Sequence, residues 1–170
     1  MIKITYFVHG TTTDNEKDIS SGWYDVELSE KGILVSKNVL RCFEFDISDC
    51  PDLAPPLTVL AAACAGKTII RGTERLAAKE SDRGAALEQT MRAIGASVIN
   101  HGHFIEIEGG KTLKGGTTGS FNDHRIAMAL ATSALLCEYP VIIDGIECIN
   151  KSYPGFTKDY ITLGGIIKLI

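Results

Sequence analysis

The chain of 170 residues has no long apolar run, no block of basic residues and no paired cysteines, and each absence removes a class of protein. No stretch approaches the ~20 consecutive apolar residues that span a bilayer. The N-terminus, Met1-Ile2-Lys3-Ile4-Thr5-Tyr6-Phe7-Val8, lacks the apolar core of a secretory signal and alternates like a first strand. Seventeen Lys and Arg stand against 21 Asp and Glu, a formal net charge of −4, with no basic face of the kind that phosphate-backbone binding requires. Neither nucleic acid nor a membrane is expected as a partner. Cys42, Cys50, Cys64, Cys137 and Cys148 are odd in number and irregularly spaced, the pattern of reduced thiols in a cytoplasmic protein. Gly109-Gly110 and Gly115-Gly116 are too sparse for a dinucleotide or P-loop fingerprint, and His101-Gly102-His103 lacks the further ligands of a closed metal site. No cofactor and no metal are expected.

With 45% hydrophobic and 22% charged residues, the chain can bury one good core or two small ones. Residues 2–8 read as a strand, His9 to Gly22 as a polar loop, and Ser29 as the N-cap of a helix to about Leu40. Further on, Pro55 and Pro56 open an apolar helix through Cys64, Gly66 closes it, and Lys67 to Arg71 form a β-branched strand ending at Gly72. Asp123 opens a second apolar helix through about Cys137, and Pro140 to Asp144 form a strand ending at Gly145. Asp52 lies 20 residues before Gly72 and Asp123 lies 22 before Gly145, with Lys79 and Lys151 following seven and six residues after those glycines. Such repetition implies a symmetric architecture in which corresponding helix starts face one side. Between the repeats, Ser81 and Asp82 cap a helix with Leu87, Met91 and Ile94 on one face and Gly95 as its stop. Val98–Asn100 and Phe104–Glu108 flank a hairpin, and Lys111–Thr118 is a short strand or loop.

Lys79-Glu80-Ser81-Asp82-Arg83 and Asn122-Asp123-His124-Arg125 each fall where a loop becomes a helix. Free N–H groups and the helix dipole favour anions there, and Lys and Arg add full charges. Lys79, Arg83, Arg125 and Lys151 give a local positive excess in a net-negative chain, as a polyanionic substrate would require. The plain alternative is a helix start decorated with solvated i, i+4 neighbours.

From about Phe43 to Gly165 the chain resembles the C-terminal part of the EPSP synthase (5-enolpyruvylshikimate-3-phosphate synthase) family. The likeness rests on Asp49-Cys50-Pro51-Asp52-Leu53, the KESDR run, Asn122 to Met128 and Lys151-Ser152-Tyr153-Pro154, in the family's order. It implies an α/β fold of the inside-out barrel type, built of βαβαββ units with about two of a domain's three present. It also implies transfer of the enolpyruvyl group of phosphoenolpyruvate to the 5-hydroxyl of shikimate 3-phosphate, with release of phosphate. Asp52 would hold the shikimate hydroxyls and serve as a base, Lys79 would bind shikimate 3-phosphate, and Glu80 would transfer a proton at C3. Arg83, Arg125 and Lys151 would grip the phosphate and carboxylate of phosphoenolpyruvate, with His124 beside them. The family commonly carries an arginine where Ala77 stands. Its other domain supplies further substrate contacts, so this chain alone is expected to have little or no activity.

The segment Ile4 to Gly32, with Phe7-Val8-His9-Gly10-Thr11-Thr12 and Gly22-Trp23, resembles the start of the histidine phosphatase superfamily, with Val8 in place of the usual arginine. That resemblance implies His9 as a relic of a phosphorylated nucleophile. The expected domains are therefore an incomplete phosphatase-like segment over residues 1–38, a β-loop-α piece, and an incomplete EPSP synthase-like domain over 39–170. A phosphatase using His9 and a non-catalytic fragment that self-associates as a homodimer are the alternatives.

Overall fold

A computed structural model describes residues 42–168. His9, the strand at 2–8 and the helix after Ser29 lie outside the described residues. The residues from Cys42 onward form one of the two units into which the chain divides.

Strand β1 (Glu44–Asp46) leads through a 3-10 turn (Pro51–Leu53) into helix α1 (Ala54–Ala63), and strand β2 (Gly66–Arg71) follows at once. A second 3-10 turn (Glu74–Ala78) precedes helix α2 (Arg83–Ala93), and strands β3 (Ser97–Asn100) and β4 (Phe104–Gly109) close the first half. β1 runs parallel to β2 with Glu44 opposite Ile69, while β4 is antiparallel to both β2 and β3, giving the order β1-β2-β4-β3. This is one complete βαβαββ unit. Strand β5 (Gly116–Gly119), helix α3 (His124–Ser133), strand β6 (Val141–Asp144) and helix α4 (Phe156–Thr162) follow. β5 pairs parallel with β6, with Gly116 opposite Val141, so the first four elements of a second unit repeat the opening of the first.

The period-2 pattern of β4 sets its faces: Ile105 and Ile107 are buried, and Glu106 reaches Lys67 of β2 at 2.8 Å on the other side. Ile70, Val98, Ile105 and Ile107 from the sheet meet Val59 and Ala62 of α1, Leu87 and Met91 of α2 and Ile126 and Leu130 of α3 in one apolar core. The sequence of α1 is rich in alanine, and small side chains let it lie close against both α3 and β4.

Several local expectations need correction. Pro55 and Pro56 do not open α1, because the 3-10 turn starts it at Ala54; Pro55 takes an early position where a missing N–H costs nothing. Gly66 begins β2 rather than closing a helix, the stop being the extended backbone of Cys64. α3 ends at Ser133 and tightens into a 3-10 turn (Ala134–Leu136) before Cys137. Asp82 alone caps α2, accepting from the Ala85 N–H at 3.1 Å, because the Ser81 hydroxyl turns to Asp123 instead. Gly95 does stop α2: at φ 96° it lets the Ala96 N–H reach the Met91 carbonyl at 2.9 Å.

Candidate active site

The two repeated acids meet at one guanidinium. Arg83, the first residue of α2, has a side chain with no exposed surface. Its Nε donates to Asp123 Oδ2 at 2.9 Å, its Nη1 to Asp52 Oδ1 at 2.8 Å, and its Nη2 to Asp123 Oδ1 and Glu80 Oε2. Asp123, also fully buried, accepts in addition from the Ser81 hydroxyl at 3.2 Å and caps α3 through the Arg125 N–H at 2.9 Å. One carboxylate thus joins the starts of two helices.

Asp52, in the 3-10 turn before α1, gathers three cations. Its Oδ1 lies 3.2 Å from Lys79 Nζ and accepts from Arg83, and its Oδ2 lies 3.0 Å from Arg125 Nη2. Lys79, Glu80 and Arg83 come from the loop and start of α2, and His124 and Arg125 from the first turn of α3, so three sequence-distant motifs share one cluster. His124 Nδ1 is buried without a hydrogen-bond partner and stands 3.9 Å from Glu80 Oε1, beyond hydrogen-bond reach. Lys151, at the end of a 3-10 turn (Ile146–Lys151), bonds Asn122 rather than an acid.

The charges are mutually dependent. Burial alone would raise the Asp123 carboxyl; the hydrogen bond and charge of Arg83 and the Arg125 N–H outweigh it and hold the group below its ordinary range. Asp52 shows the same balance, with desolvation opposed by Lys79, Arg83 and Arg125, and it too is held low. Desolvation works against the charged form of Arg83, but Asp123, Asp52 and Glu80 raise its pKa further and keep it cationic.

The sequence expects Asp52, Lys79, Glu80, Arg83, His124, Arg125 and Lys151 in one site; the structure brings the first six into contact range, and Lys151 bonds Asn122 instead. Arg83, expected among the groups that grip an anion, faces three carboxylates and no solvent. Asp123 and Ser81 were absent from the sequence-derived site. Asp123 reads as an ordinary N-cap, and the Asp52–Asp123 repeat is the one sequence signal that the two acids share a partner. His101 stacks on Phe104 with ring centroids 4.2 Å apart, and His103 meets the same ring edge-on.

The βαβαββ unit and the repeat that follows it are similar to solved enolpyruvyl transferases. The enolpyruvyl transferase NikO from Streptomyces tendae superposes with a TM-score of 0.59, covering 75% of this chain and 29% of that one; at 22% identity this speaks to the fold. EPSP synthase from Acinetobacter baumannii superposes with a TM-score of 0.64 at 33% identity, covering 67% of this chain and 27% of that one. The family model for EPSP synthase (3-phosphoshikimate 1-carboxyvinyltransferase) matches residues 16–160, and the chain belongs to that family. The 3-phosphoshikimate 1-carboxyvinyltransferase of Clostridium kluyveri is 44% identical over 143 residues, which are 84% of this chain and 34% of the relative. That of Clostridium acetobutylicum is 46% identical over 138 residues, 81% and 32% of the two chains. The chain therefore spans about a third of the length of these relatives.

Proposed function

We propose that this chain carries the C-terminal face of an enolpyruvyl transfer site acting on phosphoenolpyruvate and shikimate 3-phosphate. The observation that supports it is the meeting of Asp52, Lys79, Glu80, Arg83 and Arg125, from three separate motifs, in one cluster of ion pairs, with His124 3.9 Å from Glu80 beside it. In the reaction, the 5-hydroxyl of shikimate 3-phosphate gives up its proton and adds to C2 of phosphoenolpyruvate while C3 takes a proton; C3 then loses a proton as phosphate leaves the tetrahedral intermediate, restoring the enol double bond.

Asp52, half-exposed and held ionised, is placed to orient the hydroxyls and accept the proton of the attacking oxygen. Glu80 is the proton carrier for C3, with His124 beside it. Lys79, Arg125 and Lys151 reach solvent and bind the phosphates and carboxylate. Arg83 fixes the orientation of Asp52 and Glu80 from beneath. A catalytic array that acts as a unit loses its rate when a face of it is missing. With a third of the relatives' length, the chain by itself is expected to bind anions and to turn over little or nothing.

The test is phosphate release from phosphoenolpyruvate with and without shikimate 3-phosphate, alongside calorimetric titration of each ligand. Binding of phosphoenolpyruvate that weakens with salt and falls about tenfold in Arg125→Ala would support the site; absence of binding to either ligand would sink it. The reading centred on His9 rests on its motif alone. The family match begins at residue 16 and so takes in more than half of the segment that carries that motif, crossing the domain boundary expected near residue 38. Release of phosphate from either substrate alone, lost in His9→Ala, is the result that would favour it. Cysteine usage supports a cytoplasmic setting.

A further inference from the structure

Among the described residues, two that are not glycine take a positive φ, Phe121 at 54° and Asn122 at 57°, side by side at the entry to α3. Asparagine tolerates the left-handed region, but a bulky aromatic does so at a cost, so this turn persists only if its surroundings fix it. They do. Ser120 Oγ donates to the Gly145 carbonyl at 2.9 Å and accepts from the Asn122 N–H at 3.2 Å, and the Asp123 N–H donates to the Ser120 carbonyl at 3.0 Å. Gly145 is required beneath it, since a side-chain carbon there would lie 2.8 Å from Ser120 Oγ.

The outcome is that both oxygens of Asn122 point one way. The backbone carbonyl and the side-chain Oδ1 accept from Lys151 Nζ at 3.0 and 2.6 Å. Lysine carries donors only, so the amide atom facing it is the oxygen. An unrestrained lysine spreads over many rotamers, whereas two bonds at one end of a four-carbon stem fix the charge in space.

We propose that Asn122 is a positioning residue for Lys151: its two oxygens pin the ammonium beside the start of α3 and leave the third N–H for an anion of the phosphate or carboxylate class. The ligand half of this statement rests on the functional reading above; the pinning does not. A cation already ordered binds an anion without a further ordering cost.

Asn122→Gly keeps the left-handed backbone and its carbonyl but removes Oδ1, and Asn122→Asp keeps an acceptor there. Trace acetylation with acetic anhydride, read residue by residue by peptide mass spectrometry, reports the freedom of Lys151 against exposed Lys158. We expect Lys151 to react about fivefold faster relative to Lys158 in Asn122→Gly, and to stay slow in Asn122→Asp. Titration of the full chain with phosphoenolpyruvate should show affinity about five- to tenfold weaker in Asn122→Gly, with an unchanged or higher melting temperature because glycine relieves the turn. Equal labelling in all three proteins overturns the proposal, as does an unchanged affinity in Asn122→Gly. If the unmodified chain binds no phosphoenolpyruvate while the labelling contrast holds, the pinning of Lys151 is upheld and the functional reading fails.

Discussion

Arg83 and Asp123 show how one buried pair can tie two helix starts together. Both side chains are wholly removed from solvent, so each is tolerable only because the other neutralises it and the surrounding donors and acceptors complete the set. Asp123→Asn leaves a guanidinium buried with reduced compensation, and we expect a loss of about 3–5 kcal/mol in urea unfolding. Asp52→Asn should cost at most ~1 kcal/mol, because that carboxylate is 45% exposed and its pairings are screened. A reversed order of the two would show that Asp52, not Asp123, holds the helix starts together. The pH dependence follows from the same carboxyls. Both have folded-state pKa values below the ordinary ~3.9, so their contribution is complete at neutral pH and is lost as pH falls below about 4 toward the folded-state value. Unfolding free energy measured between pH 7 and pH 3 should therefore drop on the acid side, and the drop should shrink in Asp123→Asn.

At the scale of elements, the helix ends carry most of the design. Gly95 combines φ 96° with the Lys114 N–H only 3.2 Å from where a side-chain carbon would sit. Gly95→Ala should therefore destabilise the chain by ~1–2 kcal/mol, read as a lowered urea midpoint with an unchanged slope. The hairpin histidines are the contrast: His101→Ala with His103→Ala should alter stability by no more than ~0.5 kcal/mol, and added zinc should leave the melting temperature unchanged. The elements legible in sequence were those with a local signal. The β-branched run Thr68-Ile69-Ile70 announced β2, alternation announced β4, and Asp82 with Gly95 bracketed α2. Strand β5 was legible only as a strand or loop over Lys111–Thr118, because Gly116-Thr117-Thr118-Gly119 has no apolar alternation and pairs as a strand with β6. The motif residues of the site were readable from their resemblance to a family. What joins them was not: Asp123 is separated from Arg83 by 40 residues, and nothing local marks an N-cap as the partner of a distant cation.

For the whole molecule the question is what covers its apolar surface. Leu163 is 69% and Ile166 86% exposed, and Ile161, Tyr139 and Leu135 are also large side chains with much of their area in water. They lie in or next to the second, four-element repeat, whose two-stranded β5–β6 sheet gains no third strand among the described residues. Strands with unpaired edges and exposed aliphatic groups beside them favour association between chains. Self-association is therefore expected, with a mass from light scattering that rises with concentration at low salt and persists at high salt, since apolar contact rather than ion pairing drives it. Leu163→Glu with Ile166→Lys should shift the balance toward the monomer while leaving the unfolding transition within ~0.5 kcal/mol of the parent, because neither residue belongs to the core. A chain that stays monomeric at every concentration would show that this surface is covered within the molecule. A mass that falls with added salt would instead place the contact on charged groups and return attention to the cluster around Arg83.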